Sequence, residues 1–120
     1  MTNMESMRGA RLLIILTFFF ISVSLRSQIN YNHFITKGQT ELQQEKYVDA
    51  IKSLNTAVLS KKDAFEAYFL RGIAKFSLGD YRGAVTDFTK TVKLHPLYSR
   101  AYQYRGISYD RLLDYAHAIS

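Results

Sequence analysis

Residues 65–98 read FEAYFLRGIAKFSLGDYRGAVTDFTKTVKLHPLY, and this stretch decides the fold. Tyr68, Gly72 and Phe76 recur every fourth residue, which places them on one face of a helix. Gly79 then offers a left-handed helix stop, and Asp80 is the N-cap of a second helix, Tyr81 to about Leu94. In that second helix Tyr81, Ala84, Val85, Phe88, Thr91 and Val92 form a single apolar stripe. Pro96 ends it, because the residue before a proline avoids helical geometry. Just upstream, Asp63 and Glu66 have the spacing of a capping box. The unit is a helical hairpin.

The pattern returns 34 residues to either side. Gly38, Gly72 and Gly106 form one ladder; Tyr47, Tyr81 and Tyr115 form a second; Ala50, Ala84 and Ala118 form a third. Looser ladders add Phe34, Tyr68 and Tyr102, and the basic series Lys37, Arg71 and Arg105. A fixed period of this length marks an internal repeat of stacked supersecondary units. The first unit, residues 31–64, is expected to hold helices from Asn32 to about Gln44 and from Tyr47 to Ser60. The third, 99–120, is expected to break at Asp114 and begin a second helix at Tyr115 that stops at Ser120. A glycine inside a helix costs about 1 kcal/mol relative to alanine. Three glycines at one register predict a close helix approach, with Gly72 facing Ala84.

These units resemble the tetratricopeptide repeat. The resemblance rests on Tyr68, Arg71-Gly72, Lys75, Ala84, Phe88 and Pro96 in the second unit, and on Phe34, Lys37-Gly38, Glu41, Ala50 and Leu54 in the first. In the third it rests on Tyr102, Arg105-Gly106, Tyr109 and Ala118. It covers Tyr31 to Ser120. The departures are a basic residue before each glycine, and Lys62 where a proline is usual. The resemblance implies an all-α helix-turn-helix solenoid with two complete repeats and a truncated third. It also implies that Arg71 can pair with Asp87 inside the hairpin.

The N-terminal segment has a different character. Arg8 and Arg11 precede an uncharged apolar run from Leu12 to Leu25, which Arg26 closes. As a helix these 14 residues rise about 21 Å, short of a hydrocarbon core of about 30 Å. A basic flank, a short apolar run and following small residues predict a secretory signal peptide over residues 1–27. Cleavage is expected after Ser27, or alternatively after Ser24. An uncleaved membrane anchor over 12–25 is the competing reading. Either places the repeats outside the cytoplasm, in a periplasmic or secreted compartment.

Composition narrows the chemistry. The chain has no Cys, so disulfides, thiolate catalysis and thiolate metal sites are excluded. From Gln28 onward 13 basic and 9 acidic residues leave +4, spread along the sequence, with Lys61-Lys62 the adjacent pair. That distribution does not predict nucleic-acid binding. His33, His95 and His117 fall at three different repeat positions with no partner ligand one turn away, so no metal site is expected. The glycines sit apart within helices rather than together in a phosphate loop. No enzyme activity and no cofactor are expected.

What remains is surface. The family resemblance implies that the first helix of each hairpin lines a concave groove for a protein or peptide partner. On that basis the groove contacts are Ile35, Gln39, Phe69, Ile73, Phe76, Arg100, Gln103 and Ile107. Chaperone-binding members hold a C-terminal carboxylate at positions matched here by Ile35, Gln39, Leu70, Arg100 and Tyr104. Of these, Arg100 alone is cationic, so carboxylate capture is not expected. The expected function is a non-catalytic, exported binding scaffold. Two alternatives are the N-terminal module of a longer exported enzyme or signalling protein, and a membrane-anchored assembly factor. The third unit leaves an apolar seam open, which predicts fraying, self-association or continuation into a longer chain.

Overall fold

The computed structural model describes residues 2–119. Among them run five helices: α1 (Thr2–Gln43), α2 (Tyr47–Ser60), α3 (Phe65–Ser77), α4 (Tyr81–Leu94) and α5 (Ser99–Ile119). Each helix packs on the next, while α3 also touches α1 and α5. The first helices of successive units therefore make an inner row, with α2 and α4 outside it. The body measures 83 × 28 × 24 Å. Its long axis follows α1, whose 42 residues extend about 63 Å at 1.5 Å each.

The turns explain where hairpins form. Glu45 and Gly79 both have positive φ, 60° and 79°. They occupy the same register, 34 residues apart, and each ends a first helix. Asp80 then caps α4 by accepting a hydrogen bond from the Gly83 N–H at 3.0 Å. The next position in that register is Leu113, and there the chain stays helical. The expected break at Asp114 is absent, and α5 runs straight from Ser99 to Ile119. A non-glycine residue in left-handed geometry costs roughly 1–2 kcal/mol. Glu45 accepts that cost because α2 folds back and buries Ala50, Leu54 and Ala57. At Leu113 no such burial offsets the cost among the described residues, since the helix around it is exposed.

The glycine ladder has the same asymmetry. A Cβ on Gly38 would lie 2.7 Å from Leu54 Cγ, and one on Gly72 would lie 2.7 Å from Phe88 Cε1. The side chain facing Gly72 is thus Phe88, one turn beyond the expected Ala84. Leu54 and Phe88 each lie 16 residues after their glycine. Nothing lies within 4 Å of a Cβ built on Gly106. Two apolar clusters result. Tyr31, Ile35, Ala50, Leu54, Ala57, Ala64, Ala67 and Ala74 form one, and Phe69, Ala84, Phe88 and Ala101 form the other.

Two local expectations are corrected. The capping box does not form: Ala64 is the N-cap of α3 and makes no side-chain cap bond. Glu66 instead accepts a hydrogen bond from the Gln39 side chain at 3.2 Å, tying α3 to α1. Second, no turn separates the N-terminal apolar segment from the first repeat. One continuous helix carries the chain from Thr2 through Leu25 and Tyr31 to Gln43.

Candidate functional site

The predicted groove residues fall into rows of one register. Ile35, Phe69 and Gln103 are equivalent, as are Gln39, Ile73 and Ile107. In the first row Ile35 is 7% exposed and Phe69 3%, both sealed into the core, while Gln103 is open. Ile35 and Phe69 therefore hold neighbouring helices together, and Gln103 is the open member of the row. In the second row Gln39 and Ile73 are half-buried, and Ile107 is 38% exposed. Both rows are covered in the first two units and open at α5.

An aromatic cluster sets the floor. Phe69 lies between Tyr98 and Tyr104, with ring centroids 4.9 and 6.1 Å away, and Phe88 closes the back at 5.8 Å. Phe76 packs edge-on against Tyr81 and Tyr104 at 5.4 and 5.7 Å. The Arg100 guanidinium stacks 5.2 Å above the Phe69 ring. Such cation–π stacking orients a guanidinium while leaving its N–H fork available. Arg100, Gln103 and Ile107 are exposed along α5, beside half-buried Ile73 and Phe76 on α3. That strip pairs apolar contacts with a cation and an amide, which suits a peptide or a partner helix.

A partly exposed ion cluster around buried Asp87 fixes α3. Arg71 donates to both oxygens of Asp87, from Nε at 2.9 Å and Nη2 at 2.7 Å. Lys75 Nζ adds a contact at 3.0 Å, and Arg71 Nη1 reaches the Asn55 side chain at 3.0 Å. One arginine thus joins α3 to the helices on both sides of it. The hydrogen bonds to Asp87 push the Arg71 pKa up, against the opposing effect of burial. Burial, with help from Glu66 and Asp63, likewise raises that of Tyr31. The sequence pointed to the Arg71–Asp87 pair but not to Lys75 or Asn55. The signal for Asn55 was its place 16 residues before Arg71, the mirror of the step to Asp87. In α5 the same geometry survives in half: Arg105 reaches Thr89 at 3.4 Å.

The structural ladders have uneven surroundings. Ala50 and Ala84 are fully buried, Tyr47 and Tyr81 half-buried, and Tyr115 and Ala118 exposed. Pro96 follows the end of α4 by two residues. A second concavity of about 560 Å³ lies between the α3–α4 turn and the end of α5, lined by Gly79, Asp80, Tyr81, Arg82, Leu112, Tyr115, Ala116 and Ile119. His33 packs edge-on against Phe34, and His95 meets Phe65 at a tilt and Tyr98 edge-on. Among the described residues no three His, Asp or Glu side chains converge as metal ligands would.

The family model described as "Tetratricopeptide repeat" matches residues 35–81 and 69–120. The chain belongs to the tetratricopeptide repeat family. Among solved structures it is similar to the first TPR domain of the human RPAP3 protein, with a TM-score of 0.69 and 22% identity over 71% of this chain and 67% of that one. It is also similar to the first TPR of Spaghetti (RPAP3) bound to HSP90 peptide SRMEEVD, with a TM-score of 0.66 and 22% identity. That match covers 67% of this chain and spans 64% of the other. At such identity the likeness establishes the helical solenoid. Comparison with curated proteins finds no match.

Proposed function

We propose that this tetratricopeptide chain is a non-catalytic scaffold that binds a protein or peptide along the inner row of helices. The observation that carries the reading is the strip of Ile73, Phe76, Arg100, Gln103 and Ile107, apolar along its middle with polar groups at its edge. A solved relative of the same fold holds the peptide SRMEEVD, which supports a peptide as the class of ligand. This chain presents apolar or aromatic side chains at most of the carboxylate-clamp positions. The preferred ligand is therefore a segment with apolar anchors read by Phe76 and Ile107, plus an acidic or carbonyl group for Arg100. The N-terminal run of Leu12 to Leu25 directs the chain to a membrane, with the repeats on the periplasmic or extracellular side.

A photo-crosslinking residue placed at Ile107 of the full chain tests this in cells. A specific adduct is expected from Ile107 and none from Thr56 on the outer helix α2. Ala substitution of Phe76 is expected to reduce the adduct about tenfold, the loss of one apolar anchor. Equal adducts from both positions, unaffected by that substitution, would reject the inner row as the binding face.

A further inference from the structure

Three features converge on one end of the repeat domain, none of them part of the groove. The first is the exposed apolar run of α1, a helix that as a whole is long and apolar enough to cross a membrane by length and composition, a test that a signal sequence also passes. The second is its junction with the repeats. Ser27, two residues past Leu25, donates a hydrogen bond to the Ser60 carbonyl at 2.6 Å. The last turn of α2 therefore stands at the height where the apolar run ends. Arg26, Lys61 and Lys62 are all exposed there, and Lys61 also lies 5.3 Å from the centroid of the Tyr31 ring. The third is a pair of uncovered leucines. Leu59 is 74% exposed and Leu97 is 89% exposed. The loop bearing Leu97 adjoins the α2–α3 loop through Phe65, whose ring meets His95 at 4.5 Å and Tyr98 at 5.2 Å.

We propose that this loop end is a lipid-binding surface: α1 is retained as a membrane anchor, Arg26, Lys61 and Lys62 engage anionic phospholipid headgroups, and Leu59 and Leu97 enter the interface. The physical logic lies in lengths and charges. An apolar run of about 21 Å in a hydrocarbon core of about 30 Å draws its flanks inward. Because α1 is one unbroken helix and Ser27 is tied to Ser60, the flank drawn in is the folded domain itself. Arg26 and the lysines extend their stems along the boundary and place their charges among phosphates. Asp63 is the one acidic group in the α2–α3 loop, against two lysines. This inference does not depend on what the inner row binds.

The test uses the full chain in vesicles of phosphatidylcholine with and without phosphatidylglycerol. The protein has no Cys, so each introduced cysteine carries a single environment-sensitive label. Leu97→Cys and Leu59→Cys report the loop end. Leu78→Cys, on the α3–α4 turn about 20 Å away along α3, is the aqueous control. Phe19→Cys reports insertion. The expected result is deep-quencher contact for Phe19→Cys, and shallow-quencher contact for Leu97→Cys and Leu59→Cys in the phosphatidylglycerol vesicles, with Leu78→Cys in water. Charge reversal by K61E and K62E is expected to lower the docked fraction by at least about fivefold per lysine while Phe19→Cys stays quenched. Raising salt on the unsubstituted background checks the same point without a folding change, since screening shortens to about 3 Å at 1 M. A Leu97→Cys probe as aqueous as Leu78→Cys in phosphatidylglycerol vesicles would overturn the proposal. So would membrane-extracted protein whose mass begins at Leu25 or Gln28.

Discussion

The second hairpin and α5 carry nearly the same sequence pattern, yet one folds back and the other runs straight. Gly72 is covered by Phe88, and Arg71 is tied to a buried Asp87. Their equivalents Gly106 and Arg105 meet open space and a 3.4 Å contact to Thr89. The partner of each lies 16 residues downstream, which for Gly106 and Arg105 falls beyond Ser120. A repeat motif therefore specifies a hairpin through pairs, and half of a pair specifies only a helix. This is the nearest-neighbour logic expected of a solenoid.

That contrast can be broken by experiment. Amide exchange should show the widest gap, with residues 110–119 exchanging at least about a thousandfold faster than Ala84 to Thr91, since local fraying needs little of the global free energy. Equal protection in a monomer would mean that α5 is stabilised by something other than packing. Next, Arg71→Ala should destabilise by roughly 1.5–3 kcal/mol, by removing the charged hydrogen bonds to a buried carboxylate that then keeps only Lys75, whereas Arg105→Ala should stay within about 0.5 kcal/mol. Urea melts giving both variants similar losses would contradict the pairing. Gly72→Leu should cost roughly 1–3 kcal/mol through overpacking against Phe88. Gly106→Leu should instead gain somewhat under 1 kcal/mol of helix propensity. The sign of the two shifts in thermal midpoint decides it. The smallest effect belongs to the caps: Asp80→Ala should lose about 1 kcal/mol, and Asp114→Ala nothing measurable, because Asp114 is inside a helix. A loss at Asp114 would restore the missing turn.

The hairpin helices were legible in sequence because period and punctuation agreed. The predicted α2 and α4 coincide with Tyr47–Ser60 and Tyr81–Leu94, with the Asp80 cap and the left-handed Gly79 in place. The expected groove was harder to read. The family resemblance places Ile35 and Phe69 in a groove row, but burial depends on what the next unit places over them, and no single helix encodes that. The capping box failed for a similar reason, since Glu66 found Gln39 across the helix interface instead of its own backbone. The exposed end of α1 is legible as an apolar run, whereas its tie from Ser27 to Ser60 joins residues 33 apart that share no motif.

By itself, the sequence determined the all-α class, the 34-residue period, the family, and the residues that punctuate the second hairpin. Those properties are local: they depend on backbone propensity, caps and the face to which a side chain points. Only the tertiary structure decided that Gly72 is matched by Phe88, that buried Asp87 holds both Arg71 and Lys75, and that α1 continues unbroken into the first repeat. These follow from which surfaces are covered. Coverage is set by neighbours distant in sequence, and the free energy of packing appears only when both faces are present.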